Sequence, residues 1–253
     1  MLELREVGKT YSERALVALD RFSLMIEDGE IFSLVGPSGC GKTTLLKLIA
    51  GLEKPSTGTI EVDGRELLGL NSNAAMVFQT DAVFPWMTVG ANILFGHASS
   101  DDGVVDHYLD LVGLPKCGDW WPRELSSGMR KRVELARAYA SRAKILLLDE
   151  PFGSLDTLTK ERLQQELLDS WQKDRRTLLF VTHDVEEAIL LGHRVGVMAS
   201  SPGRLEAVVD VCLPFPREAN ARLTQPFLDL RRTIMQTLRR RSLQPHYPTA
   251  VGS

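Results

Sequence analysis

Gly36-Pro37-Ser38-Gly39-Cys40-Gly41-Lys42-Thr43-Thr44 is the stretch on which the fold reading turns. It has the spacing GxxxxGK[ST], follows the apolar run Glu30–Val35 and leads into Leu45–Ala50, a helix-like segment. A strand, a glycine-rich loop and a helix in that order make a cradle for phosphate. The glycines let backbone N–H groups close around phosphate oxygens with no Cβ in the way. The helix turns its positive end toward the same anion. Lys42 is expected to reach the β- and γ-phosphates of a nucleotide, Thr43 to hold Mg²⁺, and Thr44 to touch the α-phosphate. Cys40 reads either as a redox-sensitive thiol or, more simply, as a small residue filling the loop.

Working outward, Arg21–Glu27 alternates, with Phe22, Leu24 and Ile26 on one face of a half-buried strand. Thr59–Val62 enters a turn at Asp63-Gly64, and Ala75–Phe78 forms a short strand ending at Gln79. From about Thr80 to Arg142 the pattern becomes helical, as in Val104–Val112 and Met129–Ser141. Ile145–Leu148 then reads as a strand buried on both faces. Leu155–Lys173 is helical in pattern, Leu178–Thr182 is a strand and Val185–Leu191 begins a helix. Such alternation predicts an α/β fold with a mostly parallel sheet. In the tail, Thr224 is a helix cap with Pro226 in the first turn. Leu223, Phe227, Leu230, Ile234 and Leu238 form an apolar stripe that ends near Arg239-Arg240-Arg241. That stripe fits packing on the core or a partner, and the arginines offer an alternative at anionic lipid. The expected organisation is an α/β core over 1–79 and 143–216, a helical insertion over 80–142, and a C-terminal helix and tail over 217–253.

Asp149 and Glu150 end the buried strand Ile145–Leu148. Ligands of such sheets bind at strand C-termini. Asp149 is therefore placed to hold Mg²⁺ through water and Glu150 to act as general base on an attacking water. An apolar strand ending in two acids also occurs as a plain solvated strand end, and the phosphate loop upstream weighs against that. His183 ends the next strand and is placed to contact the γ-phosphate and orient the water.

The bulk properties narrow the function. Of 253 residues, 43% are hydrophobic and 25% charged, so a substantial soluble core is expected. A net charge of −3 argues against a general nucleic-acid binder. No apolar run is long enough to span a bilayer, so any membrane part is expected on another chain. The opening MLELREVGKTY carries charges at once and has no apolar signal segment. Cys40, Cys117 and Cys212 are too few and too scattered for a disulfide framework or a zinc site, and reduced thiols in the cytosol are expected.

Leu125-Ser126-Ser127-Gly128-Met129, followed by the basic, Ala-rich Arg130–Ala138, separates this chain from other phosphate-loop proteins. It resembles the signature of ABC ATPases, usually LSGGQ. Tyr11 matches that family's adenine-stacking aromatic, Gln79 its Q-loop glutamine, Ser154-Leu155-Asp156 its D-loop and His183 its switch histidine. The resemblance covers nearly the whole chain. It implies a P-loop NTPase core with an N-terminal antiparallel β subdomain, an inserted helical subdomain, and ATP and Mg²⁺ as ligands. It also implies a second ATPase subunit, identical or a close paralogue. Ser126, Ser127, Gly128 and Met129 would then bind the partner's ATP, while Gln79 senses the γ-phosphate or Mg²⁺. Ser127 replaces the usual glycine. Serine costs something there if the backbone takes a positive φ or approaches a phosphate closely and is harmless at an ordinary helix start; mild weakening of ATP-driven closure is expected.

Phe84-Pro85-Trp86-Met87-Thr88-Val89 resembles the segment after the Q-loop in importers of nitrate, sulfonates and taurine, as do LSSGM and Pro151–Asp156. Phe84, Trp86 and Met87 are then the expected contact with an integral membrane permease, against the plainer reading of a buried apolar loop. The resemblance implies a motor on the cytoplasmic face of the cell's inner membrane. It would be peripheral, linked indirectly to a substrate-binding protein and without a nucleic-acid partner. The alternatives are a soluble ABC ATPase acting on nucleic acid or ribosomes, and a weakly hydrolysing regulatory subunit. No paired ATPase unit, coiled coil or zinc insertion supports the former, and Gln79, Glu150 and His183 oppose the latter.

Overall fold

Alternation in the first residues folds into a hairpin. β1 (Leu2–Tyr11) and β2 (Leu16–Ile26) pair antiparallel, with Leu2 opposite Ile26 and Leu4 opposite Leu24. This register puts Leu2, Leu4, Phe22, Leu24 and Ile26 in the core together. The computed structural model describes residues 1–12, 16–95, 97, 102–153, 155–199 and 202–242. The chain continues through β3 (Ile31–Val35), α1 (Lys42–Ile49), β4 (Thr57–Val62), β5 (Arg65–Glu66) and β6 (Ala74–Val77). Three helices come next, α2 (Val89–Leu94), α3 (Asp102–Leu111) and α4 (Ser127–Ala140). Then come β7 (Ile145–Asp149), α5 (Thr157–Asp174), β8 (Thr177–Thr182) and α6 (Val185–Leu191). The last elements are β9 (Arg194–Met198), β10 (Leu205–Asp210) and α7 (Gln225–Ser242).

The strands form two sheets. One is antiparallel, in the order β2-β1-β4-β5. The other runs β10-β9-β3-β8-β7-β6, with every pair parallel except β9 and β10 at the edge. β3, β7 and β8 are buried along their whole length, which explains their largely apolar sequences. Leu45, Leu46, Leu48 and Ile49 of α1 share an apolar cluster with Leu2 and Ile60 of one sheet and Phe32, Leu147 and Val181 of the other. The helix after the phosphate loop therefore lies between the sheets. On the opposite face of the parallel sheet, Leu146, Leu148, Leu178 and Phe180 join residues of α2 to α5.

Three details depart from the sequence reading. α5 starts at Thr157, not Leu155, because the Asp156 carboxylate caps it by accepting from the Thr159 N–H at 3.1 Å. Leu223 lies in a turn ahead of α7 and is 83% exposed, so it is not part of the stripe. The rest of that stripe packs on α6 and β9 of its own chain, with Phe227 and Ile234 fully buried. The side chains at 240 and 241, on which the lipid alternative leans, lie outside the described residues. β1, β5, β9 and β10 had no counterpart among the strands read from the sequence.

Candidate active site

Four strands of the parallel sheet deliver the predicted residues to one edge. The phosphate loop follows β3, Gln79 follows β6, Asp149 and Glu150 end β7, and His183 follows β8. Loop residues Ser38, Gly39 and Gly41 line a cleft of about 250 Å³ with Tyr11, Lys42, Thr43, Thr44, Gln79 and Glu150. Gly39 and Gly41 have φ of +78° and +95°, and a Cβ on Gly41 would stand 2.8 Å from the Ala18 carbonyl oxygen. Glycine is required at Gly41 on both counts. Lys42 Nζ donates to the carbonyls of Gly36 and Pro37 at 2.8 and 2.9 Å, so its ammonium lies over the loop. Cys40 is 1% exposed, and burial pushes its thiol pKa up. That supports the filler reading.

Thr43 Oγ1 donates to Asp149 Oδ2 at 2.7 Å, joining two of the three residues expected at Mg²⁺, the third being Gln79. Asp149 is 2% exposed. Burial and the neighbouring Glu150 charge push its carboxyl pKa up, against the Thr43 hydrogen bond. A buried carboxylate in that position fits a cation, which removes the penalty on its charge. No group of three or more His, Cys, Asp or Glu side chains among the described residues forms a protein-only metal site. The donor set therefore fits Mg²⁺ held jointly with substrate phosphates.

Glu150 Oε2 is the meeting point of the three predicted catalytic residues. His183 Nδ1 stands 3.1 Å away and Gln79 Nε2 donates at 3.4 Å. The Glu150 backbone has φ of +47° and its N–H donates to Val181 O at 2.9 Å. His183 is largely exposed, and its chain neighbour Asp184 anchors the backbone beside it. Asp184 accepts from Lys160 of α5 at 3.0 Å and caps α6 through the Glu186 N–H at 2.9 Å. Sequence reading missed Lys160, which looks like an ordinary surface residue of α5. It also missed Glu53, which accepts from the Tyr11 hydroxyl at 2.7 Å and pairs with Lys9 at 3.2 Å, fixing the Tyr11 ring at the cleft.

The signature residues do not line this cleft. Ser126 caps α4, accepting from the Met129 N–H at 3.2 Å, and Ser127 is the first residue of that helix. Ser127 is not among the positive-φ residues, so serine is harmless to this backbone and the expected weakening has no conformational cause. A Cβ on Gly128 would meet Leu155 at 3.4 Å, so the signature abuts the segment leading to Asp156. Ser154 lies outside the described residues.

Phe84 and Trp86 stack at 5.4 Å, and Phe84 meets Phe95 edge-on at 4.7 Å. Trp86 is 68% exposed, so the segment is not a buried loop. Asn92, fully buried in α2, holds its shape: its carboxamide accepts from the Phe84 N–H and donates to the Phe84, Met87 and Thr88 carbonyls. Arg137 of α4 lies over the Phe84 ring at 4.6 Å.

The ABC transporter family profile matches residues 19–153. A nitrate import ATP-binding protein of Synechocystis is 44% identical over 225 residues, covering 86% of this chain and 85% of the relative. An aliphatic sulfonates import ATP-binding protein of Bacillus cereus is 37% identical, covering 93% and 94%. A taurine import ATP-binding protein of Jannaschia is 47% identical, covering 79% and 76%. A bacterial ABC transporter cassette solved as a dimer superposes with a TM-score of 0.76 at 30% identity, covering 85% of this chain and all of that one. The phosphate loop, the paired acids and these matches agree: the chain belongs to the ABC transporter family, as its ATP-binding ATPase subunit.

Proposed function

We propose that this chain energises uptake of a small anion such as nitrate, a sulfonate or taurine through a separate membrane permease. The observation that carries the catalytic part is the convergence of Gln79 and His183 on Glu150 Oε2 beside the phosphate loop. In this reading Gly36–Gly41, Lys42 and Thr44 hold the phosphates and Tyr11 stacks on adenine. Mg²⁺, held by Thr43 and Asp149 with Gln79 close by, would neutralise charge on the transferred phosphoryl group. Glu150 accepts the proton of the attacking water, and His183 and Gln79 hold that carboxylate and water in line.

The signature lies outside its own cleft, and the solved relative is dimeric. Ser126, Ser127, Gly128 and Met129 are therefore assigned to the partner's ATP, with Leu155 beside them; Ser154, Leu155 and Asp156 keep the D-loop role that the resemblance implies. The partner is a second copy or a close paralogue, and hydrolysis releases the closed pair. The anion assignment rests on what the named relatives import. Phe84, Trp86 and Met87 are assigned to the permease contact, since exposed aromatic clusters mark such contacts. The motor is placed at the cytoplasmic face of the membrane, peripheral and held by its permease, with a substrate-binding protein acting indirectly. Among the described residues no helix is long and apolar enough to cross a membrane.

The test is co-expression with a candidate permease of the importer type found in the same genome. The expected result is a complex whose ATPase rises with loaded substrate-binding protein. Trp86→Ala should break the complex while the free chain keeps its ATPase. Purification free of any membrane protein, with wild-type Trp86, would overturn the reading.

A further inference from the structure

Gln79 has an exposed side chain, so its position is set by its backbone. That backbone is fastened to α4 by two side chains that are almost wholly buried, Lys131 at 2% and Glu134 at 1% exposure. Lys131 Nζ donates to the Phe78 carbonyl and, at 3.3 Å, to the Gln79 carbonyl. It also pairs with Glu134 Oε2 at 3.1 Å. The other oxygen, Glu134 Oε1, accepts from the Ala82 N–H. Arg130 Nε binds Asp81 Oδ2 at 2.6 Å, and Arg137 Nη2 donates to the Ala82 carbonyl at 2.8 Å. Positions 130, 134 and 137 recur on one helix face, with 131 beside them, so a single face of α4 grips the chain from Phe78 to Ala82.

Two buried charges are a poor way to gain stability, because apolar residues of like volume would do as well. Their ion pair instead satisfies backbone groups of one loop from both sides. We infer that Lys131 and Glu134 are positioning residues for Gln79, making the Gln79 loop and α4 one body. The inference rests on the reading of Gln79 as a site residue. α4 begins at the signature, so displacement of Ser126–Met129 by a partner's nucleotide carries the Gln79 backbone with it. The buried pair thereby links the nucleotide bound at the signature to the chain's own cleft.

The first test uses the wild-type protein. The Ala82 amide, although in a loop, should exchange with solvent as slowly as interior amides of α4, and fast exchange overturns the clamp. The second compares Lys131→Met/Glu134→Leu with wild type. Since a 1 Å misplacement costs up to about 10²-fold, kcat should fall at least about tenfold with KM for ATP within about twofold. A purely structural role would not separate the two constants in that way. In a Gln79→Ala background the double substitution should cause no further loss. If Gln79→Ala alone keeps the wild-type rate, the reading of Gln79 fails and takes the inference with it. If Gln79→Ala is slow while the double variant is fast, or if the two losses multiply, the inference alone fails.

Discussion

Glu150→Gln isolates the proposed chemistry. The substitution keeps the length and volume of the side chain and removes only its charge and its capacity to take a proton. The oxygen 3.1 Å from His183 Nδ1 and 3.4 Å from Gln79 Nε2 can be retained as the carboxamide oxygen, so the Gln79 amide keeps its acceptor. A positioned general base contributes about 10²- to 10⁴-fold. At 1.36 kcal/mol per tenfold, that is roughly 2.7 to 5.4 kcal/mol of barrier. The loop that holds the phosphates is untouched, so nucleotide affinity should stay within about threefold. Phosphate release at saturating ATP and Mg²⁺ gives kcat, and titration with a fluorescent ATP analogue gives affinity. Because hydrolysis is what reopens the dimer in this reading, the variant should also persist as a dimer on a sizing column run in ATP. A kcat within about threefold of wild type would refute Glu150 as the base. A lower rate explained by lost nucleotide binding would refute its assignment to the chemical step.

Arg217 is buried and donates to the carbonyls of Ile189, Leu190, Gly192 and Val211, and burial lowers its pKa to about 10. Arg217→Met orphans those carbonyls and should lose about 2 to 4 kcal/mol in urea unfolding, where a loss under about 1 kcal/mol would show that they find other donors. His193 stacks on Phe215 at 4.6 Å, meets Trp171 at a tilt at 4.8 Å, and accepts from the Ile31 N–H at 3.0 Å. Its pKa is lowered by burial and by the nearby Arg217 charge. Its contribution to stability is therefore complete above about pH 6.5 and is lost as pH falls below that value toward the folded pKa. Melting temperature should fall less steeply on acidification in His193→Gln, and parallel curves would remove the argument. Ser127→Gly should leave the ATPase rate within about twofold, because serine suits the first turn of α4. A several-fold gain would show that the hydroxyl or Cβ obstructs the partner's nucleotide.

The catalytic edge was legible because its chemistry sits in short local patterns, each at a strand terminus. Gly36–Thr44, Asp149-Glu150 and His183 could be placed on one edge before any contact was known. What stayed hidden depends on partners far apart in the chain. Glu53 reads as one more surface acid until Tyr11, 42 positions away, donates to it. Lys131 and Glu134 look like the solvated face of a basic helix, because no sequence period distinguishes a buried ion pair from an exposed one. β9 escaped notice because Gly196 interrupts a five-residue strand whose partner, β3, lies far earlier in the chain. Leu223 was misread because a helical period was extended past the start of the helix, where side-chain directions no longer obey it.

The backbone at Glu150 has its own consequence. A φ of +47° on a side-chain-bearing residue costs roughly 1 to 2 kcal/mol, which glycine would not incur. With Glu150 as the proposed base, the residue that relieves this backbone is also the one that removes the proton acceptor. A library selected only for survival at high temperature would be drawn to glycine at this position. In the proposed mechanism it would yield a protein that folds and binds ATP but hydrolyses it about 10²- to 10⁴-fold more slowly. Directed evolution of this chain therefore needs turnover as its selection at position 150, since thermal survival alone does not hold the proposed base in place.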